Sequence, residues 1–189
     1  MNKDELTLNS PKTAIARSKI SAPLRHILNI KPELKRVFHQ GPGRPDNPDR
    51  EKVKEVALDS VLEYDPGHGP TDRNPLRKKD CDQAISIYVL NVLPPTTRKS
   101  AVIDIAKTLA PGGIAYVAVR SEVDISSSRN ESWEKCRDGY AISRGKKRNF
   151  QKGYTPLSLK SELKDHFKIV ETFDRGGFIL AMARRGGRK

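Results

Sequence analysis

Cysteine, clustered histidine and long apolar runs are all scarce in this chain, and each scarcity excludes a class of protein. Cys81 and Cys136 are too few for a disulfide scaffold, so reduced thiols and a cytoplasmic setting are expected. His26, His39, His68 and His166 stand apart, with no C-x-x-C or H-x-x-x-H spacing, so no metal site is expected. No apolar stretch approaches the ~18–20 residues of a membrane span, so no membrane partner is expected. Met1–Glu5 lacks the apolar segment of a secretory leader. Acidic residues are outnumbered, with 23 Asp and Glu against 36 Lys and Arg. The resulting charge of +13, with a pI of about 9.9, favours a polyanionic partner, DNA or RNA.

The most informative stretch is a strand, a glycine loop, a helix, a second strand and an acid, in that order. Lys35-Arg36-Val37-Phe38-His39-Gln40 runs into Gly41-Pro42-Gly43. A helix follows near Asn47–Leu58, then an extended run from Ser60 to Tyr64 that ends on Asp65. A G-x-G turn lets backbone approach a ligand with no Cβ in the way. The helix N-terminus points N–H groups at that ligand. A carboxylate about 20 residues on stands where ribose hydroxyls are held in nucleotide-cofactor folds.

The remaining chain alternates in the same manner. Pro11–Ile30 reads as a basic amphipathic helix pair broken near Ser21-Ala22-Pro23, with Ser21 as N-cap. Pro66–Asp80 is rich in Gly, Pro and charge and reads as a loop. Asp82–Leu90 reads as a buried parallel strand. Thr96 or Thr97 caps a helix striped by Val102, Ile105, Ala106 and Leu109, which Ala110-Pro111-Gly112-Gly113 stops. Ile114–Val119 is the next strand. A last helix runs through Leu159, Leu163 and His166, and Phe167–Phe173 and Phe178–Ala183 form two strands about a turn at Asp174–Gly177. The expected fold is a Rossmann-like three-layer α/β/α sandwich. Its sheet is mostly parallel, with an antiparallel strand near the C-terminus and a shortened third-strand region. It forms a single domain over 1–189, with a basic helical cap (1–33), a core (34–184) and a basic insertion (120–154).

Leu109-Ala110-Pro111-Gly112-Gly113, Tyr64-Asp65-Pro66 and Ser86–Pro95 resemble three motifs of class I S-adenosylmethionine-dependent methyltransferases. Lys12–Arg17, Ser21-Ala22-Pro23, Ser143-Arg144-Gly145 and Phe150-Gln151 are more narrowly similar to the DNA phosphorothioation-associated methyltransferase family. The resemblance runs from about Lys12 to Arg184 and implies S-adenosyl-L-methionine as cofactor. It implies that Gly41 and Gly43 approach the cofactor, that Asp65 takes its ribose, and that Asp46 lies near the methionine end. It places Asn91 and Tyr88 beside the transferred methyl. The chain departs from the pattern at two places. His39 occupies the position of an acid that helps hold the methionine end, and Pro45 occupies the third glycine position.

The insertion is the expected substrate side. Arg144, Lys146, Lys147, Arg148, Phe150 and Gln151 interleave cations with an aromatic, as a backbone-tracking, base-stacking surface does. The loop after Asn91 is Val92-Leu93-Pro94-Pro95 rather than Pro-Pro-Tyr, so amino-methylation of a base is not supported. Cys81 precedes its strand and is not a candidate nucleophile. The leading expectation is methyl transfer to nucleic acid or a nucleic-acid-associated target. The alternatives are a degenerate fold that binds nucleic acid or a partner protein without catalysis, for which His39 and Pro45 speak, and a small-molecule methyltransferase.

Overall fold

The structure, a computed structural model, describes residues 18–72, 80–144 and 147–186. Its frame is a six-stranded sheet in the order β2-β1-β3-β4-β9-β8. The strands are β1 (Leu34–Gln40), β2 (Ala57–Tyr64), β3 (Cys81–Ile87), β4 (Leu109–Arg120), β8 (Phe167–Asp174) and β9 (Phe178–Arg185). The pairs β1–β2, β1–β3 and β3–β4 are parallel, while β9 runs antiparallel to both β4 and β8. The expected reversed strand is therefore β9. Among the described residues the sheet ends at β2, where a third strand would otherwise extend it.

The helices that cover the sheet are α1 (Ala22–Ile30), α2 (Pro48–Val56), α3 (Pro95–Thr108), α4 (Glu122–Ser128) and α5 (Pro156–Leu163). Alternation along β1 explains the two layers. Val37 joins Leu24, Leu34, Val53 and Ile85 beneath α1 and α2. Phe38 faces the other way and packs with Val102, Ile105, Leu159 and Leu163 of α3 and α5. None of the described helices is long and apolar enough to cross a membrane.

Side chains cap four of the five described α-helices, and of these the Ser21 cap was expected. Ser21 Oγ accepts from Leu24 N–H and Asn47 Oδ1 from Asp49 N–H, each with proline in the first turn. Thr155 and Ser158 form a reciprocal capping box on α5. Neither Thr96 nor Thr97 caps α3, because the helix already starts at Pro95, with Pro94 as N-cap and no side-chain bond. Helix α2 ends at Val56 and strand β2 takes over at Ala57, earlier than the composition suggested. Pro111-Gly112-Gly113 lies inside β4, at a register shift against β3, with Gly112 at φ +79°. His166 falls beyond α5. The first half of the expected N-terminal helix pair lies outside the described residues.

The largest difference is in the insertion. It holds α4 and a three-stranded antiparallel sheet, β5 (Trp133–Cys136), β6 (Gly139–Arg144) and β7 (Lys147–Gln151), where no periodicity was visible. Phe150 is fully buried, paired with Ala141 in the ladder, and so cannot stack on a nucleic-acid base. Gly139 lacks a Cβ because the Gln151 carbonyl and the Phe150 ring would lie 2.5 and 2.6 Å from it.

A buried charge cluster joins this small sheet to the core. The Arg98 side chain on α3 is 2% exposed and pairs with Asp138 of the β5–β6 turn, and its Nε lies 3.0 Å from Glu162 of α5. Lys152, just past β7, reaches the same two carboxylates at 2.8 and 3.3 Å. Arg98 also donates to the Leu93 carbonyl at 2.9 Å. Two cations face two anions, so removal of one leaves a partly buried charge uncompensated. Arg98→Met is expected to lower stability by about 2–4 kcal/mol. Urea denaturation checks this, and a loss below about 1 kcal/mol would show that the cluster does not hold the sheet.

Candidate functional site

The C-terminal tips of β1 and β3 open into a cavity of about 440 Å³, within the size range of small-molecule sites. Its walls come from the glycine loop after β1, the turn after β2, the exit of β3, the first turns of α3, the end of β4 and Gln151 of β7. This is the place where parallel α/β sheets hold ligands.

Gly41 and Gly43 adopt φ of +63° and +78°, which a side chain disfavours. A Cβ on Gly41 would stand 2.5 Å from Val89 Cγ2, so this glycine also makes room for the β3 exit loop. Asp65 is buried and closes the loop from the other side. Its Oδ2 accepts Gly43 N–H at 2.8 Å, and its Oδ1 accepts Gly67 and His68 N–H at 2.9 and 3.1 Å. Asp65 therefore faces the cavity, as expected, but most of its acceptor capacity organises backbone. Pro45 is exposed and does not plug the cavity. Asp46 is exposed too, 3.3 Å from Arg44 and absent from the cavity wall, so it does not occupy the position expected of it. Asn47 and Asp49 line the wall instead. The Asp49 carboxylate also accepts Ser21 N–H at 2.7 Å and so ties α1 to the start of α2.

His39 lies on the cavity wall, buried, with its Nδ1 unpartnered. Burial lowers its pKa to about 4, opposed by the Glu63 carboxylate and reinforced by Arg50 and Lys54. The imidazole is neutral at pH 7 and offers a hydrogen bond but no charge. Glu63 itself is engaged with Arg50 in a bidentate pair at 2.8 and 2.5 Å. Burial raises Glu63, but that guanidinium holds it below its usual value.

Beside His39, Gln40 donates to the Ala101 carbonyl at 2.9 Å and accepts from Ser86 Oγ at 2.8 Å. Strand β3 stops at Ile87, and Tyr88 takes φ +59°, an uncommon conformation for a bulky residue. That twist sends the chain into a 3-10 turn, Leu90–Val92, and brings Asn91 to the wall. Asn91 is 1% exposed. Its Nδ2 donates to Gln151 Oε1 at 3.3 Å, while its Oδ1 is buried without a partner.

Of the expected substrate-side residues whose side chains are described, Gln151 reaches the cavity, and Arg148 and Phe150 do not. Arg148 pairs with Glu134 at 2.7 Å, Arg144 and Lys147 oppose each other at the β6–β7 turn, and Lys146 lies outside the described residues. Cys81 is buried and pushed up to about 12 by burial, which leaves an inert thiol. Sequence reasoning passed over Asp104, Arg120, Asp124 and His68, all on the wall. Arg120 ends β4 and pairs with Asp124 at i+4, and the tip of a parallel strand was its one available signal.

The neutral state of His39 has a consequence for stability. Its folded pKa of about 4 lies below the unfolded value near 6.5, so the unfolded chain binds the extra proton between them. Stability from this group is complete above pH 6.5 and is lost as pH falls toward 4, by about 3 kcal/mol in total. Thermal melts from pH 7.5 to 4.5 should show a steeper fall in Tm for the wild type than for His39→Gln. Parallel curves would contradict the assignment.

No protein-family model matches the sequence, and no curated protein matches it. Solved structures do match. The 1,6-didemethyltoxoflavin-N1-methyltransferase of Burkholderia thailandensis, with 1,6-didemethyltoxoflavin and S-adenosylhomocysteine bound, superposes with a TM-score of 0.58 at 16% identity. That match covers 87% of this chain and 77% of the other. An S-adenosylmethionine-dependent methyltransferase from Clostridium acetobutylicum gives 0.59 at 12%, covering 87% and 90%. The N-methyltransferase NodS of Bradyrhizobium japonicum, in complex with S-adenosylhomocysteine, gives 0.55 at 17%, covering 87% and 84%. With its reversed β9 and its cavity at the tips of β1 and β3, the chain has the Rossmann-like fold of class I S-adenosylmethionine-dependent methyltransferases.

Proposed function

We propose that this chain is an S-adenosylmethionine-dependent methyltransferase with a small-molecule acceptor. The observation that carries the reading is the charge of the cavity. Asp49, Asp65, Asp104 and Asp124 line it against one guanidinium, Arg120, which is itself paired with Asp124. A chain of net charge +13 thus presents an acidic cavity, suited to a ligand bearing a sulfonium and an ammonium. The chemistry of the wall also fits that cofactor, because His39 Nδ1, His68 Nε2 and Asn91 Oδ1 are buried in it without partners. Buried polar atoms left open in this way mark where a ligand completes the bonding.

In this reading Gly41 and Gly43 bring main chain against the cofactor, and Asp65 accepts from its ribose. His39 accepts from the amino-acid end as a neutral base. When bound, the cofactor supplies a methyl group already activated by its sulfonium. The chain's part is to align the acceptor and exclude water. Asn91, held by Gln151, and Tyr88, held by its backbone bond to the Ala118 carbonyl at 2.8 Å, form the wall where the acceptor sits. Small acceptors are favoured by the size of the cavity and by likeness to the 1,6-didemethyltoxoflavin-N1-methyltransferase, which has 1,6-didemethyltoxoflavin bound.

Nucleic acid as acceptor is the second reading, favoured by the +13 charge and by the resemblance to the phosphorothioation-associated family. Against it stand the buried Phe150, the paired Arg148, and Lys152 held between two carboxylates.

Calorimetric titration with S-adenosylhomocysteine is expected to give micromolar binding, weakened at least about tenfold in Asp65→Ala through loss of the loop and of one ligand bond. No heat at millimolar ligand would leave a non-catalytic fold. With methyl-labelled cofactor, label is expected in a small-metabolite extract and not in DNA or RNA. Label in the polymer would reverse the acceptor assignment.

A further inference from the structure

The sheet order puts the tips of β1 and β2 on one side of the cavity and those of β3 and β4 on the other. The stretch after β7 fastens the second side. Lys152 N–H bonds to the Asn91 carbonyl at 2.8 Å, and Tyr154 N–H bonds to the Arg120 carbonyl at 3.1 Å. One group there is held and yet open. Arg120 donates through Nε to Asp124 Oδ2 at 2.5 Å and through Nη2 to Ser128 Oγ at 2.8 Å, so α4 fixes both side chains of the pair. Asp124 Oδ1 meets no donor among the described residues, and the carboxylate is 32% exposed on the cavity wall, within reach of a ligand. No lysine or cysteine lines the cavity among the described residues, and its two histidines, His39 and His68, lie on the β1–β2 side.

Charge and the missing base select the nucleophile. A thiol or a hydroxyl must shed a proton to attack, and the anion formed would stand against an ionised carboxylate. A neutral amine attacks with its own lone pair and turns positive as it does so. We infer that the acceptor is a neutral amine, whose N–H is held by Asp124 Oδ1 and whose developing charge that carboxylate stabilises. The amine lone pair makes the new bond to the methyl carbon, the carbon–sulfur bond breaks onto sulfur, and the positive charge passes to nitrogen. The surplus proton then leaves the ammonium product to water. A fixed carboxylate serves a developing cation as fixed N–H groups serve an oxyanion. Arg120 is the positioning residue that aims Asp124. The inference rests on the methyl-transfer reading above.

Sinefungin, the cofactor analogue with an ammonium-bearing carbon in place of the methyl sulfonium, puts a cation where the amine turns positive. Calorimetry is expected to show sinefungin bound about tenfold tighter than S-adenosylhomocysteine, the worth of one hydrogen bond to a charged group. In Asp124→Asn that preference should fall below about threefold while affinity for S-adenosylhomocysteine holds within about twofold, which also shows that the variant folds. With methyl-labelled cofactor and a small-metabolite extract, label is expected in a product that a cation exchanger retains in acid and that alkali leaves intact. The wild-type preference and the charge of the product decide the matter without a variant. Sinefungin bound no tighter than S-adenosylhomocysteine, or an equal preference in Asp124→Asn, would overturn the role of Asp124. Label in a product held by an anion exchanger, or released by alkali as methanol, would overturn the amine. A wild type that binds neither ligand would overturn the cofactor reading itself.

Discussion

The carboxylate of Asp65 is the constraint on which the site depends. It stands at the end of β2 and accepts backbone N–H groups from two separate segments, Gly43 of the loop after β1 and Gly67 and His68 of its own turn. Two irregular stretches of chain are held together by one side chain. Bonds to an ionised acceptor are stronger than neutral ones, and here they are buried. The positive φ at Gly41 and Gly43 and the close approach of Val89 follow from a loop drawn down onto that carboxylate. Asp65 is thus a structural hub with one face toward the cavity.

The opposite wall is built on different physics. Tyr88 takes an unfavourable backbone conformation to turn β3 away from the sheet, and Asn91 arrives buried with an open carbonyl. The small sheet β5–β7 then brings Gln151 against Asn91, and Lys152 N–H against the Asn91 carbonyl at 2.8 Å. Behind it, Arg98, Lys152, Asp138 and Glu162 neutralise one another. Part of the chain's positive charge is thus internal, in these ion pairs, rather than displayed on its surface. The cavity is lined by four aspartates against Arg120, opposite in sign to the chain as a whole, and in the proposed reading this suits a cationic ligand.

Much of the core was legible because local chemistry decides it. The apolar tip of β1, the Ser21 cap with its proline, the Gly41–Gly43 turn and the reversed C-terminal hairpin all rest on spacing within a few residues. The insertion was not legible. Its strands run from four to six residues, and their apolar members, Ala141, Ile142 and Phe150, are scattered among charges. Phe150 was misassigned because a lone aromatic between cations reads alike whether it faces solvent or core. Asp46 was misassigned because it precedes the Asn47 N-cap and stays exposed beside Arg44, whereas Asp49, in the first turn of α2, is buried. His68 is set by a local turn onto Asp65 that composition does not announce, and the Arg120–Asp124 pair carries no signal beyond its place at the tip of a parallel strand.

The most direct test of the account is a crystal structure of the chain with S-adenosylhomocysteine. The account predicts the ligand in the cavity between the tips of β1 and β3, its ribose within hydrogen-bond distance of Asp65 Oδ2 and its amino-acid end toward His39. Ligand bound elsewhere, or a cavity left empty at saturating ligand, would contradict it.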